Sequence, residues 1–256
     1  VGSEMCIRDR GKPVVVGRDM RPHSPGLVRE LQRGLLASGV KVIDAGLVDT
    51  PFLYWAVNAL DGAGAIQTTA SHNPIQYNGF KISGPGAAPI GRESGLREIE
   101  ALAAGCMYQA GDESPAAEHQ DLWEGYREHV HRFLPVSLLD GTVRLKVAVD
   151  ASNGMAGTMV PKVFAGVPGL ELIELHFEND QGSFVHEPNP LVESNLCWTQ
   201  EAVREHGCDF GVCFDGDADR CVLVDEQGHS VGCDLATAWL APSFLTPVSY
   251  THLTLP

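Results

Sequence analysis

The sequence has little basic charge, with 18 lysines and arginines against 33 aspartates and glutamates in 256 residues. The net charge of -15 argues against nucleic-acid and anionic-membrane partners, because both bind basic surfaces. It does not exclude a phosphorylated substrate, since local arginines, lysines or a metal ion can reverse the field inside a cleft.

Long hydrophobic runs are also missing. No segment is apolar for long enough to span a bilayer, which predicts that no membrane is a partner. The seven cysteines are odd in number and form no Cys-x-x-Cys pair, so they match neither a disulfide framework nor a cysteine zinc site. Reduced thiols of this kind predict a cytoplasmic location.

Strands and helices alternate in two separate parts of the chain. This alternation predicts an α/β fold, with two consecutive α/β domains whose mixed, largely parallel sheets are flanked by helices. The predicted strands are 13–17, 40–44, 63–67, 144–150, 170–175 and 209–214, with a hairpin over 221–231. The predicted helices are 24–38 (capped by Ser24), 51–59, 92–104, 118–133, 157–164 and 195–206, with another from 234.

The domain boundaries follow from this alternation. We expect the first domain over residues 11–139, the second over 140–229 and the start of a third over 230–246. Residues 1–10 and 247–256 show no clear period and look like translated read-through sequence, so we expect both to be non-native segments.

A polar loop from Thr68 to Pro74 follows the strand at 63–67 and contains Ser71, which we expect to be exposed, with His72 beside it. The Asn78-Gly79 turn predicts that 80–82 returns as a short strand and holds Lys81 near this loop. Arg18 follows the first strand, so it is expected on the same rim of the sheet.

A second polar loop contains three carboxylates at alternate positions, Asp215, Asp217 and Asp219. In an extended loop alternate side chains point the same way, so these three could converge on one hard cation such as Mg²⁺. A serine loop and a carboxylate loop, each at the end of a strand, together indicate one site for metal-assisted phosphoryl transfer.

Other interpretations of these loops remain open. Asp215, Asp217 and Asp219 could form a solvated acidic turn, and Ser71 alone could be a turn serine that caps a helix. An EF-hand loop would also place a glutamate where Glu226 stands, but it requires glycine at the sixth position and flanking helices. In a phosphatase with an aspartate nucleophile, that aspartate also follows a strand, although such an enzyme needs no serine loop. Residues 153–157 weakly suggest a backbone nest for an anion.

The motifs Thr69-Ala-Ser-His-Asn-Pro74, Asn78-Gly-Phe-Lys81 and Asp215-Gly-Asp-Ala-Asp-Arg220 resemble the α-D-phosphohexomutase family. Val16-Gly-Arg-Asp19 and the segment from Asp150 to Gly154 also look like the openings of this family's first two domains. The resemblance runs from about residue 12 to residue 240.

The resemblance implies a role for each matched side chain. Ser71 would carry the phosphoryl group as a phosphoserine, and a phosphate oxygen on it would complete the Mg²⁺ shell of Asp215, Asp217 and Asp219. Lys81 would accept the proton of the attacking sugar hydroxyl. Arg18, His72 and Arg220 would position and neutralise the phosphoryl group.

The implied reaction interconverts hexose 6-phosphate and hexose 1-phosphate, with glucose or mannose as the sugar. It passes through a hexose 1,6-bisphosphate, which also serves as the activating phosphoryl donor. A phosphoglucosamine mutase, a metal-dependent phosphatase and a non-catalytic sugar-phosphate binder are the alternatives. Family members have four domains, so we expect this chain to hold the phosphoryl-transfer half of the site and to be inactive alone.

Overall fold

The computed structural model describes residues 11–105 and 117–245, and two five-stranded sheets organise this part of the chain. The strands are Val14–Arg18 (β1), Val42–Leu47 (β2), Gly64–Thr68 (β3), Phe80–Ser83 (β4), Glu118–His119 (β5), Leu145–Asp150 (β6), Leu170–Leu175 (β7), Phe210–Phe214 (β8), Cys221–Val224 (β9) and Ser230–Val231 (β10). The expectation that residues 1–10 and 247–256 are non-native lies outside the described residues.

Helices connect the strands and cover the sheets. They are Ser24–Ala37 (α1), Thr50–Ala59 (α2), Arg97–Gly105 (α3), Trp123–His131 (α4), Val136–Leu139 (α5), Ala156–Phe164 (α6), Cys197–His206 (α7) and Cys233–Leu245 (α8). Within residues 11–105 and 117–245, no helix is both long and apolar enough to cross a membrane.

The first sheet has the strand order β4-β3-β1-β2-β5. Strands β3, β1, β2 and β5 are parallel, and β4 is antiparallel to β3. The register pairs Gln67 with Lys81, so the turn predicted from Asn78-Gly79 does bring Lys81 back beside the strand that leads to Ser71. Valines at the centre of β1 are fully buried because helices cover both faces of this strand.

The second sheet has the order β10-β9-β8-β6-β7. Strands β8, β6 and β7 are parallel, while β9 and β10 form the predicted hairpin and run antiparallel to their neighbours. Both sheets are therefore mixed and largely parallel, which confirms the predicted fold class.

Three predicted helix starts are wrong. The α-helix expected over 92–104 begins only at Arg97, because Ser94 and Gly95 have non-helical backbone angles. The helix expected over 118–133 begins only at Trp123, because residues 118 and 119 pair with Ile43 and Asp44 as the edge strand β5. Ser24 does not cap α1. It is buried and its hydroxyl donates to Asp19, so its hydrogen bond supports the loop before the helix.

One hydrophobic cluster joins the two sheets. Phe52 of α2 is buried against Tyr126 of α4 with ring centroids 4.6 Å apart, and the same cluster contains Met155 and Met159 beside the second sheet. Burial of a side chain of this size contributes about 1.5–3 kcal/mol. The two halves therefore share a core, which fixes the two polar loops relative to each other.

Candidate active site

Ser71 lies in the loop that follows β3, in the left-handed backbone region with φ of 52°. The expectation that it is exposed is wrong, because the aspartate loop of the second sheet covers it and leaves only 8% of the residue accessible. Its hydroxyl donates to Asp215 Oδ2 at 2.7 Å and accepts a hydrogen bond from Arg220 Nη2 at 2.6 Å. The two loops that the sequence singled out thus meet at this oxygen.

The buried side chain of Arg21 holds the backbone of the serine loop in place through hydrogen bonds. Its side chain is fully buried, and its Nε donates to Asp19 Oδ2 at 3.1 Å. The two terminal nitrogens donate to four backbone carbonyls at 2.7–3.0 Å, those of Ser71, Asn73, Pro74 and Tyr77. All five guanidinium N–H groups are therefore used, and they hold the loop in one shape.

The aspartate loop is a tight turn, so the prediction of an extended loop is wrong. The Asp215 N–H donates to the Arg220 carbonyl at 3.0 Å, and Ala218 has a φ of 56°. The turn nevertheless brings the three carboxylates together, as their alternate spacing led us to expect. One oxygen from each of Asp215, Asp217 and Asp219 lies within 4.8 Å of the others.

Asp217 is fully buried, as Asp215 also is. Its Oδ2 accepts from the Thr50 hydroxyl and pairs with Lys81 Nζ at 2.7 Å. Burial alone would raise the pKa of Asp217, but the ion pair with Lys81 and the hydrogen bonds outweigh burial and lower it. Asp217 Oδ1 is buried and, among the described residues, has no hydrogen-bond partner.

Asp215 has the opposite shift. Burial, followed by the negative charge of Asp217, raises its pKa to about 6, although the hydrogen bond from Ser71 and the charge of Arg220 oppose this. A carboxylate whose charge is disfavoured, next to an unpartnered carboxylate oxygen, fits a site for a hard divalent cation. This chemistry of the donor set matches the Mg²⁺ that the sequence led us to expect.

Lys81 is shared between two of the carboxylates. Its ammonium group contacts Asp217 at 2.7 Å and forms a shorter ion pair with Asp219. Burial disfavours the charged form of Lys81, but these two partners outweigh burial and raise its pKa. The side chain is therefore positively charged in this structure and faces the serine loop from β4.

Arg220 supplies a positive charge at the site, and His72 lies against it. Arg220 donates through Nε and Nη2 to Asp215 at 3.1 and 2.8 Å, and its Nη2 also contacts His72 Nδ1. Burial and the neighbouring charge of Arg220 lower the pKa of His72. A neutral His72 can accept a hydrogen bond from the arginine, which is the geometry observed.

Arg18 is placed apart from this group. It ends β1 on the same rim of the sheet, as expected, but the only hydrogen bond of its side chain among residues 11–105 and 117–245 goes to the carbonyl of Asp19. The structure therefore brings Ser71, His72, Lys81, Arg220 and the three aspartates together, and among the described residues it shows no hydrogen bond from Arg18 to Ser71.

Sequence reasoning missed several residues that build the site. Arg21 escaped notice because an arginine three residues after Arg18 has no signal of its burial. Thr50 connects the start of α2 to the aspartate loop, since its backbone N–H and hydroxyl both donate to Asp217. Asp49 caps α2 through the Phe52 N–H, and burial, with a smaller contribution from the charge of Asp217, raises its pKa to about 8. The Asp-Thr-Pro sequence at 49–51 was a detectable capping signal.

Glycines allow the loops to touch. A Cβ added to Gly216 would lie 2.3 Å from the carbonyl oxygen of Ser71, and one added to Gly154 would lie 2.7 Å from the carbonyl oxygen of Gly216. The Met155 N–H donates to that same Gly216 carbonyl at 2.9 Å. The backbone nest weakly suggested at 153–157 is thus a packing turn, because its N–H groups are used within the protein.

Comparison with known proteins agrees with this geometry. Residues 3–107 match "Phosphoglucomutase/phosphomannomutase, alpha/beta/alpha domain I", and residues 124–228 match "Phosphoglucomutase/phosphomannomutase, alpha/beta/alpha domain II". The chain is 40% identical over 224 residues to a protein from Xanthomonas campestris pv. campestris described as "Phosphohexose mutases", covering 87% of this chain and 49% of that protein.

A phosphomannomutase from Escherichia coli strain K12 is 38% identical over 242 residues, covering 91% of this chain and 52% of that protein. A crystal structure of a phosphoglucomutase/phosphomannomutase family protein from Burkholderia thailandensis superposes with a TM-score of 0.81 at 33% identity, covering 96% of this chain and 53% of that one. The chain spans about half the length of the curated relatives it matches. It belongs to the phosphoglucomutase/phosphomannomutase family and carries that family's first two α/β/α domains.

Proposed function

We propose that the whole protein of which this sequence is a part is a phosphohexomutase. It interconverts the 6-phosphate and the 1-phosphate of a hexose, glucose or mannose, through a phosphoserine and a hexose 1,6-bisphosphate. Family membership supports this reaction class. The proposed domains are residues 11–139 and 140–229, with a third beginning at 230. The proposed location is the cytoplasm, and the proposed partner is the phosphorylated sugar.

The observation that carries the proposal is the environment of the Ser71 hydroxyl. It lies between a carboxylate of the aspartate loop and the guanidinium of Arg220, at 2.7 and 2.6 Å. A serine oxygen held between an acceptor for its proton and a cation that can neutralise phosphoryl oxygens suits phosphoryl transfer, which depends mainly on alignment and charge cancellation.

Asp215, Asp217 and Asp219 would hold Mg²⁺ together with a phosphoryl oxygen on Ser71. The ion would supply neutralisation of the carboxylates and of the transferring group. Support for this assignment comes from the convergence of the three carboxylates and from the buried Oδ1 of Asp217, which has no hydrogen-bond partner in the described part of the chain.

The remaining side chains have separate proposed roles. Arg220 and His72 orient the phosphoryl group, and Arg18 neutralises it from the rim of the first sheet. Lys81 accepts the proton of the attacking sugar hydroxyl. Because Asp217 and Asp219 raise the pKa of Lys81 in this structure, that role requires the two carboxylates to be neutralised first.

The test is a ³¹P NMR assay of the full-length protein with the 6-phosphates of glucose, mannose and glucosamine, plus hexose 1,6-bisphosphate and Mg²⁺. We expect formation of the 1-phosphate of glucose or mannose and a loss of about a thousandfold or more in Ser71→Ala. Ser38→Ala, which removes an exposed hydroxyl at the end of α1, should leave the rate unchanged.

Three results would distinguish the alternatives. Turnover of the glucosamine phosphate alone would indicate a phosphoglucosamine mutase. Release of inorganic phosphate that persists in Ser71→Ala would indicate a phosphatase with an aspartate nucleophile. Binding of the sugar phosphate without any conversion would contradict an enzymatic function.

A further inference from the structure

A second polar cluster lies in the second sheet, among residues that the proposed reaction does not use. Asp150 ends β6, His176 follows β7, and His186 lies in the loop that leads to α7. Asp150 Oδ1 is 3.0 Å from His176 Nδ1, and Asp150 Oδ2 is 3.2 Å from His186 Nε2. One ligand atom from each residue lies within 4.8 Å of the others.

The cluster is enclosed. The side chain of Asp150 is fully buried, that of His186 is 3% exposed and that of His176 is 15% exposed. Trp198 stacks on His186 with ring centroids 4.7 Å apart and meets His176 edge-on at 5.7 Å. A charge at this position is therefore shielded from water on most sides.

The hydrogen bonds of His186 define what can lie between it and Asp150. Its Nδ1 is 2.9 Å from the carbonyl oxygen of Glu187, so this nitrogen must carry a proton. In neutral histidine Nε2 then has a lone pair, and here that lone pair faces a carboxylate oxygen. Two acceptors cannot hydrogen-bond to each other, so a cation, either a proton or a metal ion, has to lie between them.

We propose that Asp150, His176 and His186 bind Zn²⁺ or a similar divalent transition ion. Two imidazoles and one carboxylate are ligands that Zn²⁺ accepts, and bonds of about 2.0 Å in tetrahedral geometry separate ligand atoms by about 3.3 Å. The two nitrogen–oxygen distances, 3.0 and 3.2 Å, are each close to this value, but they join different oxygens of Asp150, so both carboxylate oxygens would face the ion. The hydrogen bond from His186 to a backbone carbonyl is the outer contact that metal-bound histidines usually make.

This site differs in chemistry from the aspartate loop. Oxygen-only ligands favour Mg²⁺, whereas imidazole nitrogens favour Zn²⁺, Co²⁺ or Ni²⁺. The proposed ion would connect the ends of β6 and β7 to the loop over 177–192. That loop places Phe184 against Arg21, whose guanidinium carbon is 5.4 Å from the ring centroid. Metal binding would thereby stiffen a contact between the two sheets.

The rival explanation is a proton, which would make His186 an imidazolium paired with Asp150. Burial opposes that charge, but the hydrogen bond and the charge of Asp150 outweigh burial and raise the pKa of His186. The two explanations differ in a measurable way, because only the first predicts a stoichiometric metal site that depends on His176.

The experiment uses the untagged chain, freed of metal, with Asp217→Asn and Asp219→Asn to disable the acidic cluster. Co²⁺ is titrated while its visible absorption is recorded, and Zn²⁺ is then added as competitor. We expect one equivalent of Co²⁺ with the strong absorption of a tetrahedral nitrogen-containing site, displaced by Zn²⁺ and not by Mg²⁺. Quenching of Trp198 fluorescence should follow the same titration, and Trp198→Phe should remove it.

Two variants complete the test. His176→Gln should weaken Co²⁺ binding at least about tenfold, the smallest cost seen for outer contacts of metal sites. His229→Gln, which removes an exposed histidine 3.4 Å from Asp225, should change nothing. The proposal is overturned if no stoichiometric site is found, or if His176→Gln binds Co²⁺ as the parent chain does. An imidazolium signal from His186 that Zn²⁺ leaves unchanged would also overturn it.

Discussion

At the scale of single residues, the proposed nucleophile Ser71 lies in a loop whose shape depends on a buried side chain. Arg21 donates to four carbonyls of the serine loop and pairs with Asp19 in the interior. Only arginine offers five donors in a fixed plane, and lysine offers three from a single point. The position of Ser71 is therefore set by a guanidinium that is fully buried beneath the serine loop.

Arg21→Lys should lower the free energy of unfolding by about 2–4 kcal/mol, because buried carbonyls lose their partners. It should also slow phosphorylation of Ser71. Urea unfolding and phosphopeptide mapping measure the two effects. Arg29→Lys on the exposed surface of α1 is the matched control and should be neutral. Normal stability and phosphorylation in Arg21→Lys would show that the loop holds its shape without this residue.

The raised pKa of Asp215 leads to a second prediction, which concerns how the stability of the fold depends on pH. The folded-state pKa of about 6 lies above the unfolded value of about 4, so the folded chain holds this proton more tightly. As pH rises through that window the unfolded state ionises first, and the fold loses stability; above about pH 6 the penalty is complete.

Without metal, the unfolding free energy of Asp215→Asn relative to the parent chain should therefore rise by about 2 kcal/mol between about pH 4.5 and about pH 7.5. Urea titrations at the two pH values measure this difference. Asp180→Asn, at an exposed position, should show no such rise. A relative stability that stays constant with pH would mean that Asp215 is ionised at little cost.

At the scale of structural elements, two tight loops from different sheets touch through glycine. Gly216 lies directly against the carbonyl of Ser71, and no side chain fits between them. The atom in the way is backbone, so rotation of a side chain cannot relieve the clash.

Gly216→Ala should separate the loops and abolish phosphorylation of Ser71, with a loss of about 2 kcal/mol or more in stability. Gly26→Ala is the matched control, because a Cβ there meets nothing within 4 Å and alanine suits helix α1 better by about 0.5–1 kcal/mol. Peptide mapping and urea unfolding test both variants. Full phosphorylation of Gly216→Ala would disprove the need for close contact.

The sequence was sufficient to predict the elements that carry these loops. Strands such as β1 and β8 are short apolar runs bounded by polar loops, and local pattern is enough to identify them. The sequence could not distinguish the edge strand β5 from the start of a helix, because a strand of two residues is too short to show a hydrophobic period. Nor could it show that Ser71 is covered, or that Arg21 is buried and Arg18 is not. Those facts arise from contacts between residues about 50 to 150 positions apart.

At the scale of the whole molecule, the shared core around Phe52 and Tyr126 connects the two sheets. The cluster also contains Met155 and Met159, which lie beside the second sheet. Loss of this core should therefore destabilise both sheets and not only one of them.

Phe52→Ala should cost about 3–5 kcal/mol and lower the protection of β3 and β8 together. Hydrogen exchange followed by mass spectrometry reports the two strands separately. Phe133→Ala, where the ring is 73% exposed, is the control. Loss of protection in β3 alone would show that the two sheets unfold independently.

The central claim is that the serine loop and the aspartate loop form one phosphoryl-transfer site. Intact mass and peptide mapping test it directly, before and after incubation with hexose 1,6-bisphosphate and Mg²⁺. The account predicts one added phosphoryl group on Ser71, absent in Ser71→Ala and strongly reduced in Asp217→Asn. Phosphate on an aspartate, or phosphate that persists in Ser71→Ala, would contradict it.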